Sequence, residues 1–296
     1  MLLYFEDQRD GALRLASAAG LEPALVERHR FPDGETRLRL PPLLPQQVAV
    51  FRGLEHPNDK LLELLLLART ARTLGAQRLA LVAPYLAYMR QDVAFTPGEA
   101  ISQRIVGRFL AELFDAVITV DPHLHRVATL QEAVPVPDAI VLTGAEPLSD
   151  LIAQRRQRPL LVGPDAESAQ WVAVAAARHG FEHVVCTKVR NGDRAVEVAL
   201  PAVAVAGRAV VVLDDVASTG HTVTAAARLL RAAGAASIDV AVTHALLTPD
   251  ALALIHGAGV GEVWSTDCIA HPTNAVAMAP WLATALRSVT GWRADA

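Results

Sequence analysis

The sequence predicts an α/β protein with two tandem doubly wound domains, each with a mainly parallel sheet flanked by helices. Short apolar runs, typical of buried strands, alternate with longer amphipathic segments, which favours this class over a sandwich or a helical bundle. The same strand, loop and helix order recurs in both halves of the 296 residues. Because the chain is longer than one ordinary domain, we expect domains at residues 1–143 and 144–296, after a strand that ends near Leu142.

The individual elements follow from these runs and from helix start and stop residues. Strands are predicted at residues 47–51, 78–83, 116–120, 159–162, 183–186, 209–213, 238–243 and 262–264. Helices are predicted at residues 58–74, 99–114, 167–179, 219–233 and 249–255. Asn58 and Thr219 are candidate N-caps, and Gly75, Gly180 and Gly234 follow predicted helix ends.

Composition and charge restrict the class of protein and its partners. Hydrophobic residues make up 52% of the chain and charged residues 20%, which excludes a disordered or collagen-like protein. A net charge of -4 offers no broad basic field for nucleic acid or an anionic membrane. The 2 cysteines exclude a disulfide framework, and the apolar run before Glu6 is too short for a signal peptide. We therefore expect a cytoplasmic protein with neither nucleic acid nor a membrane as partner.

The strongest local signal lies at residues 210–222, V-V-V-L-D-D-V-A-S-T-G-H-T, where an apolar strand leads into a loop that opens a helix. Asp214 and Asp215 are suited to binding the vicinal hydroxyls of a ribose. Hydroxyls and helix-terminal N–H groups are suited to binding phosphate, and the loop supplies them at Ser218, Thr219, Gly220, His221 and Thr222. A P-loop is excluded because its Gly-Lys-Ser/Thr ending is absent. An ordinary capped helix after a buried strand stays open as the alternative.

This loop resembles the ribose 5-phosphate signature of type I phosphoribosyltransferases, and two further segments narrow the resemblance to the ribose-phosphate diphosphokinase family. Residues 31–35 are similar to that family's F-x-D-G-E segment, and residues 84–92 are similar to its P-Y-x-x-Y-x-R-Q-D segment. The resemblance implies a phosphoribosyltransferase-like fold in both domains. It also implies that Arg90 and Gln91 contact ATP. Asp33, Gly34 and Glu35 of the first segment are implied to contact the ATP that is bound by a neighbouring subunit.

The chemistry of these side chains agrees with a nucleotide site. The guanidinium of Arg90 offers a planar fork for phosphate or for stacking, and Gln91 can form hydrogen bonds with a base or a ribose. Asp33 and Glu35 lie at a predicted turn and can accept hydrogen bonds from an adenine amino group or a ribose hydroxyl. Taken alone, either segment is also compatible with a solvated turn or a surface cluster.

The resemblance further implies a magnesium site. Residues 120–123 are similar to the family's D-x-H segment, whose histidine binds Mg²⁺ with an aspartate from the other half, here His123 and Asp165. Because Mg²⁺ keeps several waters and binds substrate phosphates, one histidine and one carboxylate are chemically sufficient. A structural histidine is the alternative for His123 or His125, each taken singly.

Lysine is rare, since only Lys60 and Lys188 are lysines among the 27 basic residues. Residues 187–192 resemble the family's K-x-R catalytic loop and are expected in a flexible arm after a strand. An in-line pyrophosphoryl transfer gathers negative charge, which Lys188 and the guanidinium of Arg190 can neutralise as a catalytic pair. Arg190 is also expected to contact ribose 5-phosphate. A solvated loop charge is the alternative for Lys188, and we interpret Lys60 as a solvated charge on a helix face.

Together these segments imply Mg²⁺-dependent transfer of the β,γ-pyrophosphoryl group of ATP to ribose 5-phosphate, giving phosphoribosyl pyrophosphate and AMP. The resemblance implies a homo-oligomer with the ATP site at a subunit interface. One alternative is a phosphoribosyltransferase that consumes phosphoribosyl pyrophosphate, which leaves the F-x-D-G-E, R-Q-D and K-x-R segments unexplained. A second is a non-catalytic regulatory homologue that binds partner subunits, which the presence of Lys188, Arg190, His123 and Asp165 disfavours.

The chain departs from the family pattern at two places. Glu167 and Ser168 stand where the family commonly carries paired glycines. In the phosphate loop, Ser218 stands in place of an acid and His221 in place of a glycine. Loss of an acid beside a phosphate should favour binding, whereas the histidine either donates a hydrogen bond to the phosphate or crowds it.

Overall fold

The computed structural model describes residues 1–124, 126–191 and 195–292, with the backbone alone at 188–191 and 195–198. The chain divides into two units, the first made of Met1–Leu142 with Met278–Ala296 and the second of Thr143–Ala277. None of the helices in the described ranges combines the length and the apolar character that crossing a lipid bilayer requires.

The described strands and helices are as follows. The strands are β1 (Leu2–Tyr4), β2 (Pro23–Leu25), β3 (Glu27–Arg30), β4 (Thr36–Arg39), β5 (Gln47–Phe51), β6 (Arg78–Ala83), β7 (Ala116–Val120), β8 (Asp138–Leu142), β9 (Leu160–Gly163), β10 (Glu182–Val185), β11 (Thr187–Asn191), β12 (Ala195–Ala199), β13 (Ala209–Ala217), β14 (Ser237–Ala245), β15 (Val263–Thr266) and β16 (Asn274–Val276). The helices are α1 (Arg9–Ala19), α2 (Pro57–Thr73), α3 (Ser102–Leu113), α4 (Leu130–Ala133), α5 (Ala145–Arg155), α6 (Ala169–His179), α7 (His221–Ala232), α8 (Pro249–Gly257) and α9 (Ala279–Ser288), and short 3₁₀ turns cover Glu6–Gln8 and Ala166–Ser168.

The sheet of the first unit has the strand order β2-β1-β5-β6-β7-β8, and its pairs are parallel. Each central strand contributes a residue to one apolar core, where Val50, Leu81 and Val117 cluster with Leu64 of α2 and Leu110 of α3. Strands β3 and β4 form a separate antiparallel hairpin. Parallel strands need helices on the sheet faces, which explains the alternation of elements along the chain.

The sheet of the second unit has the order β10-β9-β13-β14-β15-β16 and is also parallel in its described pairs. On one face Val212 clusters with Leu230 of α7 and Ile255 of α8. On the other face Leu213 clusters with Leu148 of α5. Adjacent residues of β13 thus enter opposite cores, as the pleat of a doubly wound sheet requires.

The last helix belongs to the first unit, whereas the sequence placed it in the C-terminal domain. Helix α9 packs against α1 and against β6, β7 and β8. Gln47 Nε2 donates to the Gly291 carbonyl at 2.6 Å, and the Thr290 hydroxyl donates to Asp138 Oδ1 at 2.8 Å. The chain therefore returns to its first sheet after completing the second.

Much of the predicted element pattern is confirmed. Strands β5, β6 and β7 have the predicted bounds, and glycines with positive φ follow helix ends as expected at Gly75, Gly180 and Gly234. Strand β13 continues four residues past its predicted end at 213 to Ala217, so both aspartates of the D-D pair lie within it. The hairpin β3–β4 was not predicted, because β3 is exposed and charged and β4 has Leu38 as its one apolar residue, too little for an apolar run.

Both predicted N-caps are wrong. The cap position of α2 is His56, and Asn58 instead accepts a hydrogen bond from the Tyr88 hydroxyl. Helix α7 is preceded by Gly220, so Thr219 lies one residue outside the cap position. At α2, a contact with Tyr88, which is remote in sequence, takes up the Asn58 side chain that could have capped the helix. At α7, a glycine in the left-handed region occupies the cap position instead of Thr219.

Candidate functional site

Three loops leave the carboxyl edge of the first sheet with one strained residue each. His56, Tyr88 and Asp121 have φ angles of 51°, 64° and 37°, in the left-handed region that residues other than glycine rarely adopt. These residues follow β5, β6 and β7, which are neighbours in the sheet. Strain of this kind concentrates at functional sites, and the same edge carries the predicted ATP residue Arg90 and the predicted metal ligand His123.

Arg90 is exposed and lies between two anchored neighbours. Among the described residues no hydrogen-bond or ion-pair partner of its guanidinium is found. Asp92 is buried and accepts hydrogen bonds from the Arg126 backbone N–H at 3.1 Å and from its Nη1 at 2.6 Å. The Met89 carbonyl accepts a hydrogen bond from Gln103 Nε2 at 3.0 Å. The backbone beside Arg90 is thus fixed while its guanidinium is available to an anion.

The amide of Gln91 is oriented by its own loop. Its Nε2 donates to the Val93 carbonyl at 3.0 Å and to Glu99 Oε2 at 3.4 Å. Glu99 also accepts hydrogen bonds from the Thr96 hydroxyl and the Phe95 N–H, which hold the pKa of Glu99 below its ordinary value. Because the side-chain N–H groups of Gln91 are turned toward this loop, its side-chain oxygen Oε1 remains as the acceptor for a ligand.

The F-x-D-G-E segment forms the tip of the β3–β4 hairpin. Asp33, Gly34 and Glu35 are exposed, and Gly34 has a φ of 95° that a residue with a side chain rarely adopts. Asp33 Oδ1 accepts a hydrogen bond from the Glu35 N–H at 3.1 Å, and the Phe31 N–H donates to the Glu35 carbonyl at 2.8 Å. The tip therefore presents two carboxylates and an exposed aromatic ring to solvent.

His123 follows β7 at the same edge of the sheet and is half-buried. The N–H of Asp121 donates to the Leu142 carbonyl at 2.9 Å, which fixes the backbone at the start of this segment. His125 lies outside the described residues. The histidine imidazole is thus placed at a strand end, where the D-x-H resemblance put it.

In the second unit, three carboxylates lie at the carboxyl ends of adjacent parallel strands β9 and β13. Asp165 and Asp215 are buried, and the Asp215 N–H donates to Asp214 Oδ1 at 3.0 Å. Burial raises the pKa of Asp214 well above its ordinary value, and the charges of Asp215 and Asp165 raise it further. This accumulation of negative charge favours a cation or hydroxyl donors as the ligand.

The residues that replace the family's paired glycines fit the backbone without strain. Ser168 has a φ of -72°, which any residue adopts, and its hydroxyl donates to the Asp165 carbonyl at 2.6 Å. Asp165 Oδ1 in turn accepts a hydrogen bond from the Glu167 N–H at 3.1 Å. A Cβ on Gly163 would lie 2.3 Å from Ser168 Oγ, so the serine fills the space beside that glycine.

The predicted phosphate loop surrounds the start of α7. Gly220 occupies the cap position with a φ of 74°, no side chain of the described residues caps the helix, and its first turn contains no acid. Ser218 and Thr222 are half-buried, whereas Thr219 and His221 are exposed. Because the first N–H groups of a helix carry partial positive charge, this end is suited to an anion.

We expect Gly220→Ala to lower the free energy of unfolding by about 2 kcal/mol, combining left-handed strain with overpacking. An added Cβ would lie 3.1 Å from two carbons of Ile255 and 3.2 Å from the Ala251 carbonyl oxygen. Gly180 is a matched control, because its φ is 67° but nothing lies within 4 Å of an added Cβ. Urea denaturation of Gly180→Ala should show a loss of about 1 kcal/mol. Equal losses would mean that α8 yields to the new methyl group.

The backbone of the K-x-R segment forms a strand of a two-stranded hairpin, and the flexible arm expected there stays a prediction. The backbone of β11 pairs with β12 in antiparallel register, with Lys188 opposite Val198 and Arg190 opposite Val196. The side chains of Lys188 and Arg190 lie outside the described part, as does Gly192. The assignment of the two basic residues as catalytic therefore stays a prediction.

The interpretation of Lys60 as a solvated charge is wrong. Its side chain is buried, and Nζ donates to the Gly53 carbonyl at 2.8 Å and pairs with Glu55 at 2.7 Å. Burial lowers the pKa of Lys60, and the charge of Glu55 opposes that effect. Helical periodicity alone does not reveal this burial, because both partners precede the helix in the loop after β5.

Sequence reasoning also missed the residues that hold the Arg90 segment in place. Arg126 meets Asp92 from 34 residues away, and no motif links them. Glu99 and Gln103 lie in the stretch after the R-Q-D motif, where their types are ordinary for a helix start. Their contribution becomes visible only once β6 and α3 are packed together.

The fold and site define a class of protein before any relative is considered. Two doubly wound units, one with a carboxylate pair ahead of an uncapped helix start, are typical of phosphoribosyltransferase-like proteins. Two family profiles agree, the N-terminal domain of ribose phosphate pyrophosphokinase on residues 1–113 and the phosphoribosyl transferase domain on residues 138–251. The chain belongs to the ribose-phosphate pyrophosphokinase family of enzymes.

Individual relatives are similar over nearly the whole chain. The ribose-phosphate pyrophosphokinase of Methanopyrus kandleri is 36% identical over 282 residues, covering 94% of this chain and 95% of that protein. That of Halobacterium salinarum is 34% identical over 289 residues, covering 97% and 100%. The crystal structure of phosphoribosylpyrophosphate synthetase from Mycobacterium smegmatis has a TM-score of 0.84 at 23% identity, covering 98% of each chain, which shows a shared fold.

Proposed function

We propose that this protein transfers the β,γ-pyrophosphoryl group of ATP to the 1-hydroxyl of ribose 5-phosphate, giving phosphoribosyl pyrophosphate and AMP. The observation that carries the proposal is the order of groups at the end of β13. Two carboxylates, Asp214 and Asp215, lie near the end of β13, and a short loop joins that strand to a helix start that lacks a side-chain cap among the described residues. The relatives that cover nearly the whole chain are named ribose-phosphate pyrophosphokinases, which agrees with this arrangement.

Ribose 5-phosphate is the proposed ligand of this strand and helix. The carboxylates of Asp214 and Asp215 accept hydrogen bonds from the vicinal ribose hydroxyls. The 5-phosphate binds to the N–H groups and hydroxyls of the loop that precedes and opens α7, at Ser218, Thr219, Gly220, His221 and Thr222. Arg190 is proposed to add a positive charge to the same ligand. Charge of both signs at opposite ends of one site matches a sugar with a single phosphate.

We expect Asp214→Asn to weaken ribose 5-phosphate binding at least about tenfold, since a charged acceptor for the sugar is lost. The same change should raise the melting temperature of the unliganded protein. The pKa of Asp214 is raised in the folded state, so at neutral pH its ionised form opposes folding and a neutral amide removes that cost. Titration calorimetry and thermal melting check the two effects.

Asp250→Asn serves as the control, because Asp250 is exposed at the start of α8 and outside the proposed site. It should leave ribose 5-phosphate binding unchanged. Unaltered affinity in Asp214→Asn would contradict the sugar assignment, and a lowered melting temperature would contradict the electrostatic one.

ATP is the proposed ligand of the first unit. The available guanidinium of Arg90 and the oriented amide of Gln91 are proposed to bind its phosphates or base. The exposed hairpin tip with Asp33, Gly34 and Glu35 is proposed to complete the nucleotide site of a neighbouring subunit. The protein is therefore proposed to be a homo-oligomer with ATP at the subunit interface.

Mg²⁺ is the proposed metal, with His123 and Asp165 as its protein ligands. The described residues contain no group of three or more His, Cys, Asp and Glu arranged to hold a metal. The donor chemistry fits, because burial and then the charges of Asp215 and Asp165 raise the pKa of Asp214, and a divalent cation at Asp165 relieves the charge repulsion. When bound, Mg²⁺ supplies neutralisation of the phosphate charge on ATP.

In the proposed reaction the anomeric hydroxyl of ribose 5-phosphate attacks the β-phosphorus of ATP. The bond from that phosphorus to the oxygen of the α-phosphate breaks, AMP leaves, and the hydroxyl proton passes to solvent. Asp214 and Asp215 hold the sugar so that its 1-hydroxyl is oriented. Lys188 and Arg190 are proposed to neutralise the charge that develops on the transferred group and the leaving oxygen.

The reaction is tested by incubating the purified protein with Mg²⁺, ATP and ribose 5-phosphate and measuring AMP. Formation of AMP only when ribose 5-phosphate is present supports the proposal. Pyrophosphate release from phosphoribosyl pyrophosphate with a panel of bases, without AMP formation from ATP, would identify a phosphoribosyltransferase instead. Activity that requires an added partner subunit would indicate the regulatory homologue.

A cytoplasmic location is part of the proposal. Cys186 and Cys268 are both free and buried. Free thiols are typical of a reducing compartment, in which disulfides do not persist. The free cysteines therefore agree with a cytoplasmic location for the proposed enzyme.

A further inference from the structure

We propose that a closed ring of four charged side chains positions the hairpin tip, residues 31–35, for nucleotide binding, an inference that rests on the proposed function. The ring, called here the ion ring, consists of Asp7, Arg28, Arg52 and Glu63. Arg28 contacts Glu63 at 2.5 Å and Asp7 at 3.3 Å, and Arg52 contacts Asp7 at 2.7 Å and also Glu63. Positive and negative members alternate, so each arginine bridges both carboxylates.

Strand β3 depends on such ties for its position, whereas β4 also packs against the apolar core through Leu38. Strands β3 and β4 pair with each other and form a two-stranded sheet, which is marginally stable alone. All four residues of β3 are exposed, so few apolar contacts hold that strand. Charged contacts fix it to α2 instead, through Arg28 and Glu63 and through Arg30 and Asp59, the latter pair at 2.7 Å. A change at these contacts is therefore transmitted to the tip that begins at Phe31.

The burial of two members of the ion ring, Arg52 and Glu63, favours a positioning role over a stabilising one. Arg52 is 1% exposed and Glu63 is 3% exposed. Buried ion pairs add little stability compared with apolar side chains of similar size, whereas arginine forks impose a fixed geometry on carboxylates. Arg52 Nε, moreover, is buried and has no hydrogen-bond partner among the described residues. An arrangement selected for stability alone would not leave this donor unsatisfied.

The ion ring also joins the hairpin to the carboxyl edge of the sheet. Its members come from the turn Glu6–Gln8, from β3, from the residue after β5 and from α2. The guanidinium of Arg52 lies 4.4 Å from the ring centroid of Phe5, which fixes it at the end of β5. Burial opposes ionisation of Asp7, but the hydrogen bond and charge of Arg52 outweigh it and hold the pKa of Asp7 below its ordinary value. Asp7 therefore stays charged at neutral pH.

Replacement of Arg28 by methionine tests the role of the ion ring, because Arg28 is its partly exposed member on the hairpin. We expect Arg28→Met to raise the KM for ATP about tenfold or more, since a displacement of about 1 Å at a binding group can cost up to ~10²-fold. The KM for ribose 5-phosphate should stay within about twofold of the wild type, because that ligand is assigned to the other unit. Arg39→Met is the matched control, since Arg39 pairs with Glu27 inside the hairpin and should leave both KM values unchanged.

Arg28→Lys keeps the charge but loses the fork, so its KM for ATP should lie between those of the wild type and Arg28→Met. This variant carries the test if Arg28→Met does not fold. An unchanged KM for ATP in both variants, or an equal rise in both KM values, would overturn the positioning role. Failure of the proposed function is a separate result, because the wild-type protein would then form no AMP from ATP and ribose 5-phosphate.

Discussion

Lys188→Ala is expected to lower kcat by about 10²- to 10³-fold, while the affinity for ribose 5-phosphate changes by less than about threefold. The physical reason is that charge develops on the transferred pyrophosphoryl group only in the transition state. A lysine that neutralises that charge contributes to turnover and little to ground-state binding. Steady-state kinetics of AMP formation and calorimetry of ribose 5-phosphate binding separate the two effects.

Lys188→Arg is the companion variant for this prediction. It keeps the positive charge but replaces a compact ammonium with a planar fork, so an intermediate kcat is expected. Equal losses of turnover and of ribose 5-phosphate affinity in Lys188→Ala would indicate that Lys188 supports the β11–β12 hairpin and does not act on the transition state.

Gly107→Ala is expected to lower the free energy of unfolding by about 3 kcal/mol, the largest stability effect that we predict. Gly107 lies in α3, where an added Cβ would be 1.8 Å from the Ala133 carbonyl oxygen and 2.8 Å from its carbon. Both atoms belong to the backbone of α4, so no side chain can rotate away. Urea denaturation measures the loss.

The consequences of Gly107→Ala should extend to the site. Gln103, in the first turn of α3, donates a hydrogen bond to the Met89 carbonyl beside Arg90. Helix α4 follows the segment that carries His123. Gly257→Ala is the control, because Gly257 ends α8 and nothing lies within 4 Å of an added Cβ. That change should be neutral or stabilise the protein by up to about 1 kcal/mol through helix propensity. A tolerated Gly107→Ala would mean that α3 and α4 are not in close contact.

The fold was predictable where burial leaves an uninterrupted apolar run. Strands β5, β6 and β7 are buried on both faces and therefore have clear limits in the sequence. Strand β1 has three residues, too few for a periodic signal. Strand β3 is exposed and held by ion pairs, and β4 has Leu38 as its one apolar residue, so the hairpin has no apolar run that the sequence could show. The return of α9 to the first unit is set by contacts with α1, which is distant in sequence.

The candidate site was predictable where one segment carries the whole chemistry. The D-D pair and the loop before α7 lie in one segment, so the positions of Asp214 and Gly220 ahead of the helix could be predicted from their order alone, while their roles in binding stay a prediction. Contacts between segments could not be predicted. The side chain of Asn58 accepts a hydrogen bond from Tyr88 and does not cap α2. Lys60 is buried against the loop that precedes its helix. These contacts exist only after the strands that bear them are aligned.

The most direct test of the account is ³¹P nuclear magnetic resonance of a reaction with Mg²⁺, ATP and ribose 5-phosphate. Because the hydroxyl attacks the β-phosphorus, AMP and a sugar diphosphate at carbon 1 should appear in equal amounts. Formation of ADP with a second monophosphate on the ribose would mean attack at the γ-phosphorus and would contradict the account, as would a complete absence of products.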